Sequence, residues 1–509
     1  MSNTTRIAKN TIFLYFRQIL IMLVSLYTVR VVLNVLGAED YGIYNVVAGV
    51  VVMFSFVNNA MASGTQRFLN FYLGKKDNQK TQETFSASLG IHFFVAIIFV
   101  IAAETVGLWF VNAKLNIPPV RHDAAMVVYQ ISVVTTVFNI LRVPYNAVII
   151  AYEKMSFFAS ISIVEAILKL VVVFLLSATG FDKLIFYAFL LLGVSIIIMF
   201  AYKIFCNKKF ETAHFISVKD KKLVKEILSF SMWSLFGATA NVANSQGTNI
   251  VLNMFTNVTV NAAMGIANQV NAAVYSFVSN FQTAFNPQII KSWAEGEKEY
   301  FINLIIRTAK ISFLLLNFIA VPLIINAEFV LEIWLKNVPD YSVIFVQLII
   351  LCSLVDSWNG PLWMSIQATG KIKKYQIIIS VLIFLNLPLS IIAFYLGFSG
   401  ESILIIRLAI LVINTFWRIF FLHGRVGLPR FKFICNVIGR CCLVFALGYI
   451  STSFIGMFIG NETANFFITC GFSVLINLFL SAFVALSQSE RNSVLTVIKN
   501  KVNKGKCSE

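Results

Sequence analysis

The sequence predicts an all-α integral membrane protein with about 14 transmembrane helices. Of its 509 residues, 58% are hydrophobic and only 12% are charged, whereas soluble domains carry about 25% charged residues. The apolar residues gather into runs near the roughly 20 residues that a helix needs to cross a bilayer. Basic residues concentrate in alternate connections between these runs. A water-soluble domain is therefore excluded for most of the chain.

The apolar runs divide into six spans, a second six after a polar stretch, and a final pair. The first six predicted spans are residues 11–36, 43–70, 85–110, 124–150, 156–178 and 183–206. The next six are residues 226–255, 260–290, 303–327, 341–368, 375–398 and 401–422. The final pair is 433–457 and 464–488. No connection exceeds about 20 residues, so the sequence predicts no soluble catalytic domain.

The net charge of +17 has a topological explanation. Lys and Arg favour the cytoplasmic side of a membrane, and one set of connections holds most of them, including Lys75, Lys76, Lys80, Lys208 and Lys209. This pattern places both termini in the cytoplasm and argues against a nucleic-acid partner. The seven cysteines form no CxxC pair, so we expect no metal site and no cofactor.

An internal repeat links the two halves of the chain. The segment Val32-Leu33-Asn34 recurs at residues 251–253, and the pattern Gly-Ile-x-Asn-x-Val at residue 42 recurs at residue 265. An even number of spans separates the copies, so the repeat is parallel. We therefore predict a six-helix lobe at 1–219, a second at 220–430, and two extra helices with a basic tail at 431–509. Two such lobes favour transport by alternating access.

The seventh and eighth predicted spans are unusually polar. Amide side chains recur on one face of each span, namely Asn241, Asn244, Asn268 and Asn271. Because lipid cannot solvate these groups, we predict that they line a cavity suited to a sugar-like ligand. Hydrogen bonding between helices would produce the same pattern and stays open.

Ionisable residues inside spans are costly, at roughly 2.5 kcal/mol or more each at the bilayer centre. The deepest are Glu165, Lys169 and Asp356, which we predict to take part in ion coupling. Glu165 and Lys169 lie four residues apart and could instead form a structural pair. Asp356 could pair with an arginine from a neighbouring helix.

Four arginines of the first lobe are candidates for binding an anionic ligand, since guanidinium groups fork onto phosphate oxygens. These candidates are Arg17, Arg30, Arg67 and Arg142. Each lies near a helix end and could also extend to the membrane surface, an alternative that is strongest for Arg67. No HExxH, GxSxG or Walker-type motif is present, so we do not expect an enzyme.

Several segments resemble the bacterial polysaccharide biosynthesis family of lipid-linked oligosaccharide flippases, of O-antigen type. These segments are RIAKNT at Arg6, RVVLNVLGAEDYGIYNVV at Arg30, TQRF at Thr65, VPYNA at Val143 and EKM at Glu153. The family belongs to the superfamily of multidrug and oligosaccharidyl-lipid exporters. The resemblance implies translocation of an undecaprenyl-pyrophosphate-linked O-antigen or capsular repeat unit across the bacterial inner membrane, coupled to an ion gradient. It also implies membrane lipids, a polysaccharide polymerase and other assembly proteins as partners.

Two other functions are compatible with the sequence. A multidrug extruder of the same fold would export amphipathic cations and would favour acidic residues over arginines in its cavity. A membrane polysaccharide polymerase or glycosyltransferase could use Glu39 and Asp40 in the first external loop, but that loop is too short to build much of an acceptor site.

Overall fold

The computed structural model describes residues 3–52, 55–114, 117–177, 180–218, 220–256, 258–335, 338–488 and 491, and the regular structure of these residues is entirely helical. The helices are α1 Asn3–Val52, α2 Ser55–Gly74, α3 Asn78–Ala102, α4 Leu108–Lys114, α5 His122–Ala151, α6 Met155–Ser177, α7 Lys183–Lys209, α8 Lys221–Phe255 and α9 Val258–Ala294. They continue with α10 Lys298–Ile325, α11 Ala327–Leu335, α12 Ser342–Thr369, α13 Lys373–Phe384, α14 Asn386–Tyr395, α15 Ser402–Val426, α16 Arg430–Phe433, α17 Arg440–Gly456 and α18 Glu462–Leu480.

The predicted class, an all-α integral membrane protein, is confirmed. Ten helical stretches of the described chain are long and apolar enough to cross a bilayer. The helices α8 and α9 are also long, at 35 and 37 residues, but their amide and hydroxyl residues make them more polar. The chain is therefore a multi-pass membrane protein.

The first external loop was predicted wrongly. Helix α1 breaks at Gly37, where φ is 81° and ψ is 167°, and the helix resumes at once. Glycine adopts such a positive φ without the steric penalty of a Cβ. Glu39 and Asp40 therefore lie in a helix after a kink, rather than in a loop.

Two further elements depart from the predicted spans. The nine-residue helix α11 occupies a segment that we expected to be a loop. The predicted span 375–398 is interrupted at Leu385, between α13 and α14. The interruption follows from Pro388, which has no N–H to donate to the carbonyl of Phe384 four residues earlier.

The structure extends the internal repeat beyond the residues matched in sequence. Helices α5 and α12 each contain one proline, Pro144 and Pro361. Each helix is followed by a residue with positive φ, Glu153 at 58° and Gly370 at 74°. The same backbone turn therefore follows the same helix in both copies.

The described chain forms two compact units. The first comprises Lys9–Thr239 with Trp293–Glu295. At its centre α5 packs against α2, α3 and α7. Buried apolar side chains from these helices, including Phe85, Tyr145 and Ile198, make its core. Helix α5 also contacts α6, and α5, α6 and α7 carry polar and charged residues described below.

The second unit contains Ala240–Ser292 and the chain from Gly296 onward. Helix α10 packs on α12, α17 and α18, and α12 packs on α15. Buried amides join the C-terminal pair to α10, because Asn317 Nδ2 donates to Asn477 Oδ1 at 2.8 Å and Asn326 Nδ2 donates to Thr469 Oγ1 at 3.1 Å. Helices α17 and α18 thus belong to the second unit.

Candidate functional site

A cluster of charged residues lies inside the first unit. Glu165 on α6 accepts hydrogen bonds from Arg142 Nη1 of α5 at 3.0 Å and from Lys169 Nζ at 2.8 Å. The Arg142 guanidinium also lies 5.6 Å from the ring centroid of Tyr202 on α7. We call Arg17, Arg142, Glu165, Lys169 and Tyr202 the Glu165 cluster.

Arg17 on α1 approaches the same helix α6. Its guanidinium lies 4.7 Å from the ring centroid of Phe158, and its Nη1 donates to Ser162 Oγ at 3.4 Å. Tyr202 interacts electrostatically with Arg17, Arg142 and Glu165. Four helices of one unit therefore bring their polar side chains to a common place.

The charges of the Glu165 cluster do not balance. Arg17, Arg142 and Lys169 are basic and Glu165 is acidic, so the four side chains carry three positive charges against one negative. Charged side chains within membrane helices are expensive unless paired or solvated. A positive excess at this depth is suited to an anionic ligand, whose oxygens can accept hydrogen bonds from guanidinium and ammonium groups.

The two remaining arginine candidates, Arg67 and Arg30, differ from Arg17 and Arg142. Arg67 on α2 is buried, and its guanidinium lies 4.4 Å, 4.7 Å and 5.8 Å from the ring centroids of Phe68, Phe71 and Phe230. Three aromatic rings therefore surround the Arg67 guanidinium, and its role in binding an anion stays a prediction. The side chain of Arg30 lies outside the described residues.

A second charged region surrounds Asp356 on α12 of the second unit. Asn359 Nδ2 donates to Asp356 Oδ1 at 3.2 Å, and the Tyr275 hydroxyl of α9 hydrogen-bonds the same carboxylate. Thr415 Oγ1 donates to Asn359 Oδ1 at 3.1 Å, and Arg418 Nη1 donates to the Asn359 carbonyl at 3.3 Å, both from α15. These five residues form what we call the Asp356 cluster.

The helix that carries Asp356 is locally irregular. Pro361 cannot donate to the carbonyl of Ser357, which would be left without its helical partner. Gln282 Nε2 of α9 donates to that carbonyl instead, at 3.2 Å. The approach requires Gly360, since a Cβ at this position would lie 2.2 Å from Gln282 Oε1. Helix α12 therefore continues through Pro361, with Gln282 taking the place of the missing backbone donor.

The amide candidates of α8 and α9 have mixed environments. Asn244 Oδ1 accepts from Asn386 Nδ2 at 3.3 Å, and Asn271 Oδ1 accepts from the Ser353 hydroxyl. Both contacts are hydrogen bonds between helices of the second unit. Asn241 is exposed and Asn268 is half-buried.

A third charged group joins one end of the helices in the first unit. Arg121 Nε donates to Asp40 Oδ1 at 2.8 Å, and Arg121 Nη1 donates to Asp182 Oδ2 at 2.5 Å. Asp182 also caps α7 by accepting from the Leu184 and Ile185 amides. Burial alone would raise the pKa of Asp182, but hydrogen bonds from Ile185 and Arg121 outweigh it and lower that pKa.

A fourth group lies where α8 begins. Lys80 Nζ on α3 pairs with Asp220 Oδ2 at 2.7 Å and with Glu83 Oε2 at 3.1 Å. Asp220 caps α8 through the Lys222 and Leu223 amides. The hydrogen bond from Lys80 lowers the pKa of Asp220. The segment between α7 and α8 is thereby fixed to the start of α3.

Sequence reasoning missed several residues of both clusters. Tyr202 and Gln282 gave no signal, because single polar residues are common in membrane helices. Arg418 gave a signal that was overlooked, since it is an ionisable residue inside the predicted span 401–422.

The fold is that of the transporters of the MOP superfamily. An outward-facing multidrug resistance MATE family transporter of this superfamily matches with a TM-score of 0.71 and 13% identity, covering 83% of this chain and 97% of its own. The MATE transporter ClbM in complex with Rb⁺ matches with a TM-score of 0.69 and 15% identity, covering 82% and 94%. A MOP superfamily transporter from Pyrococcus furiosus, described by the reverse polarity of its binding pocket, matches with a TM-score of 0.67 and 13% identity, covering 82% and 96%.

These identities establish a shared fold alone. The chain belongs to the polysaccharide biosynthesis protein family, which it matches over residues 7–293. That match covers more than half of the chain, including Lys9–Thr239 of the first unit and Ala240–Ser292 of the second. No curated protein matches the chain significantly.

Proposed function

We propose that this protein translocates an oligosaccharide linked to undecaprenyl pyrophosphate from the cytoplasmic to the periplasmic leaflet of the bacterial inner membrane. Membership of the polysaccharide biosynthesis family supports a role in glycan assembly. The observation that carries the proposal is the positive excess of the Glu165 cluster, which lies on membrane-spanning helices of the first unit.

Two parts of such a substrate differ in their chemistry. Its polyprenyl tail is solvated by lipid, but its pyrophosphate carries negative charge that lipid cannot solvate. Arg17, Arg142 and Lys169 offer guanidinium and ammonium donors for the pyrophosphate oxygens.

Transport of the substrate against its own gradient needs an energy source. We assign the coupling of ion flow to transport to the Asp356 cluster. Neutral groups, Asn359 and Tyr275, hydrogen-bond the Asp356 carboxylate. A carboxylate with these neutral partners can bind a cation, because the ion pairs found among the described residues do not include Asp356. Asp356 would then couple ion flow to the change between inward-open and outward-open states.

The proposal is tested in bacterial cells that lack their own exporter and supply several lipid-linked glycans. The amount of lipid-linked glycan in each leaflet is compared for wild type, Arg17→Ala and Arg142→Ala. We expect wild type to move glycan to the periplasmic leaflet and each substitution to reduce that transfer by about tenfold or more. The control is Arg425→Ala, which removes an exposed arginine at the end of α15.

Any of three results would count against the proposal. An unchanged leaflet distribution with wild type, at normal protein levels, would exclude the glycans offered as substrates. Export of amphipathic cationic dyes by the same cells would instead identify a multidrug extruder. A loss with Arg425→Ala equal to that with Arg142→Ala would mean that any missing positive charge impairs the protein.

A further inference from the structure

The carboxylate of Glu165 is shared between two cations. Its Oε2 accepts from Arg142 and its Oε1 accepts from Lys169. The contact with Arg142 involves one nitrogen, Nη1, rather than the parallel two-bond fork that makes arginine pairs strong. The Lys169 side chain is 47% exposed. Lys169 is therefore accessible, and Arg142 binds Glu165 through the weaker of the two geometries.

The two cations keep donors for another acceptor. A guanidinium has five N–H donors and an ammonium has three, whereas each group gives Glu165 one hydrogen bond. A pyrophosphate carries more negative charge than a carboxylate and presents more oxygens. It can accept the two-bond fork from Arg142 that Glu165 does not receive.

We propose that Glu165 is an internal counter-anion, which holds Arg142 and Lys169 until the pyrophosphate of the substrate takes its place. This inference rests on the proposed function and specifies how the site treats its ligand. Before binding, Glu165 reduces the cost of placing two cations in a membrane helix bundle. After translocation it recaptures them and so assists release of the pyrophosphate.

Competition of this kind also sets specificity. A ligand displaces Glu165 only if its charge and acceptor number exceed those of one carboxylate. A pyrophosphate meets this requirement better than a monophosphate, and an alcohol does not meet it. The same competition limits the affinity for the correct substrate, because part of the binding free energy is used to displace Glu165.

The experiment measures binding of farnesyl pyrophosphate, a short probe, to the full-length protein in lipid nanodiscs by calorimetry. Glu165→Gln removes the competing charge but keeps the size of the side chain. We expect this variant to bind the probe about tenfold more tightly than wild type and to transport glycan more slowly. The matched control is Glu104→Gln, since Glu104 is also half-buried in the first unit and accepts a hydrogen bond from Gln130.

A measurement on wild type needs no substitution. Displaced Glu165 should react with a water-soluble carbodiimide, so farnesyl pyrophosphate should increase labelling of Glu165 in mass spectrometry. Labelling of Glu104 should not change, and farnesol should have no effect on either residue.

The outcomes separate this inference from the proposed function. If wild type binds the probe but Glu165→Gln binds it equally or more weakly, and labelling of Glu165 does not rise, then Glu165 has only a structural role. The proposed function would survive that result. Failure of folded wild type to bind the probe would overturn the proposed function and the inference together.

Discussion

The two charged clusters treat their carboxylates in opposite ways. Glu165 in the first unit is held by two cations at 3.0 Å and 2.8 Å. Asp356 in the second unit is held by Asn359 and Tyr275, and the ion pairs found among the described residues do not include it. Arg418, the nearby cation, donates to a backbone carbonyl instead. The Glu165 cluster therefore has excess positive charge for an anion, and the Asp356 cluster has a carboxylate for a cation.

The helices that carry Glu165 and Asp356 also differ in the regularity of their backbone hydrogen bonds. Helix α6 contains neither proline nor glycine, so Glu165 lies on a regular surface. Asp356 lies five residues before Pro361, in a helix where the Ser357 carbonyl accepts from Gln282 rather than from the backbone.

The two clusters differ at one corresponding position of the internal repeat. Arg142 lies two residues before Pro144, and Asn359 lies two residues before Pro361. At the same place in the repeat, one copy has a cation that pairs with Glu165 and the other has an amide that donates to Asp356. A single position therefore accounts for much of the difference in charge.

The largest effect should come from Asp356→Asn. If the second cluster couples transport to an ion gradient, this substitution should reduce gradient-driven glycan transport about a hundredfold. Binding of farnesyl pyrophosphate should stay within about twofold of wild type, because the Glu165 cluster is intact. Transport is measured in cells and binding in nanodiscs.

Arg142→Ala provides the opposite pattern and serves as the reference. It should lose binding and transport together. Equal loss of binding in Asp356→Asn and Arg142→Ala would break the comparison, since both clusters would then serve the same ligand.

A smaller effect is expected for Gln282→Leu. The buried Ser357 carbonyl would lose its donor, at a cost of about 1 to 3 kcal/mol in the free energy of unfolding. Thermal unfolding of the purified protein should show the loss as a lower midpoint. Gln269→Leu on the same helix is the control, since Gln269 is exposed and its replacement should have little effect. An unchanged midpoint with Gln282→Leu would mean that the Ser357 carbonyl does not need the hydrogen bond from Gln282.

Sequence patterns predicted the fold class because span length and hydropathy follow from the thickness of the bilayer alone. They also predicted the Glu165 to Lys169 contact, since residues four apart share a helix face. The addition of Arg142 to this pair depends on how α5 packs on α6, which one sequence does not specify. The same holds for Tyr275 beside Asp356.

Local irregularities were the other limit. The kink at Gly37 and the short helix α11 interrupt or replace predicted loops, and hydropathy does not distinguish a loop from a short helix. The break at Leu385 was readable from Pro388, but a proline within a membrane helix often causes only a bend. The Asp356 cluster joins residues of α9, α12 and α15, so its chemistry was visible only in three dimensions.

The smallest effect concerns Asp182, which shows what an arginine–carboxylate contact contributes outside the two clusters. Its side chain is 33% exposed and pairs with Arg121, so Asp182→Asn should cost only about 0.5 to 1 kcal/mol after solvent screening. Hydrogen bonds outweigh burial and lower the pKa of Asp182 in the folded protein. Its contribution is therefore complete above the ordinary aspartate pKa and is lost as the pH falls through the lowered folded value. The thermal midpoints of wild type and Asp182→Asn should differ at pH 6. The difference should begin to shrink below about pH 4 and vanish below the lowered pKa of the folded protein. Asp123→Asn, at a fully exposed aspartate of α5, should match wild type at both pH values. A difference for Asp182→Asn that persists at low pH, where the carboxyl group is neutral, would mean that the charge of Asp182 is not what stabilises the fold.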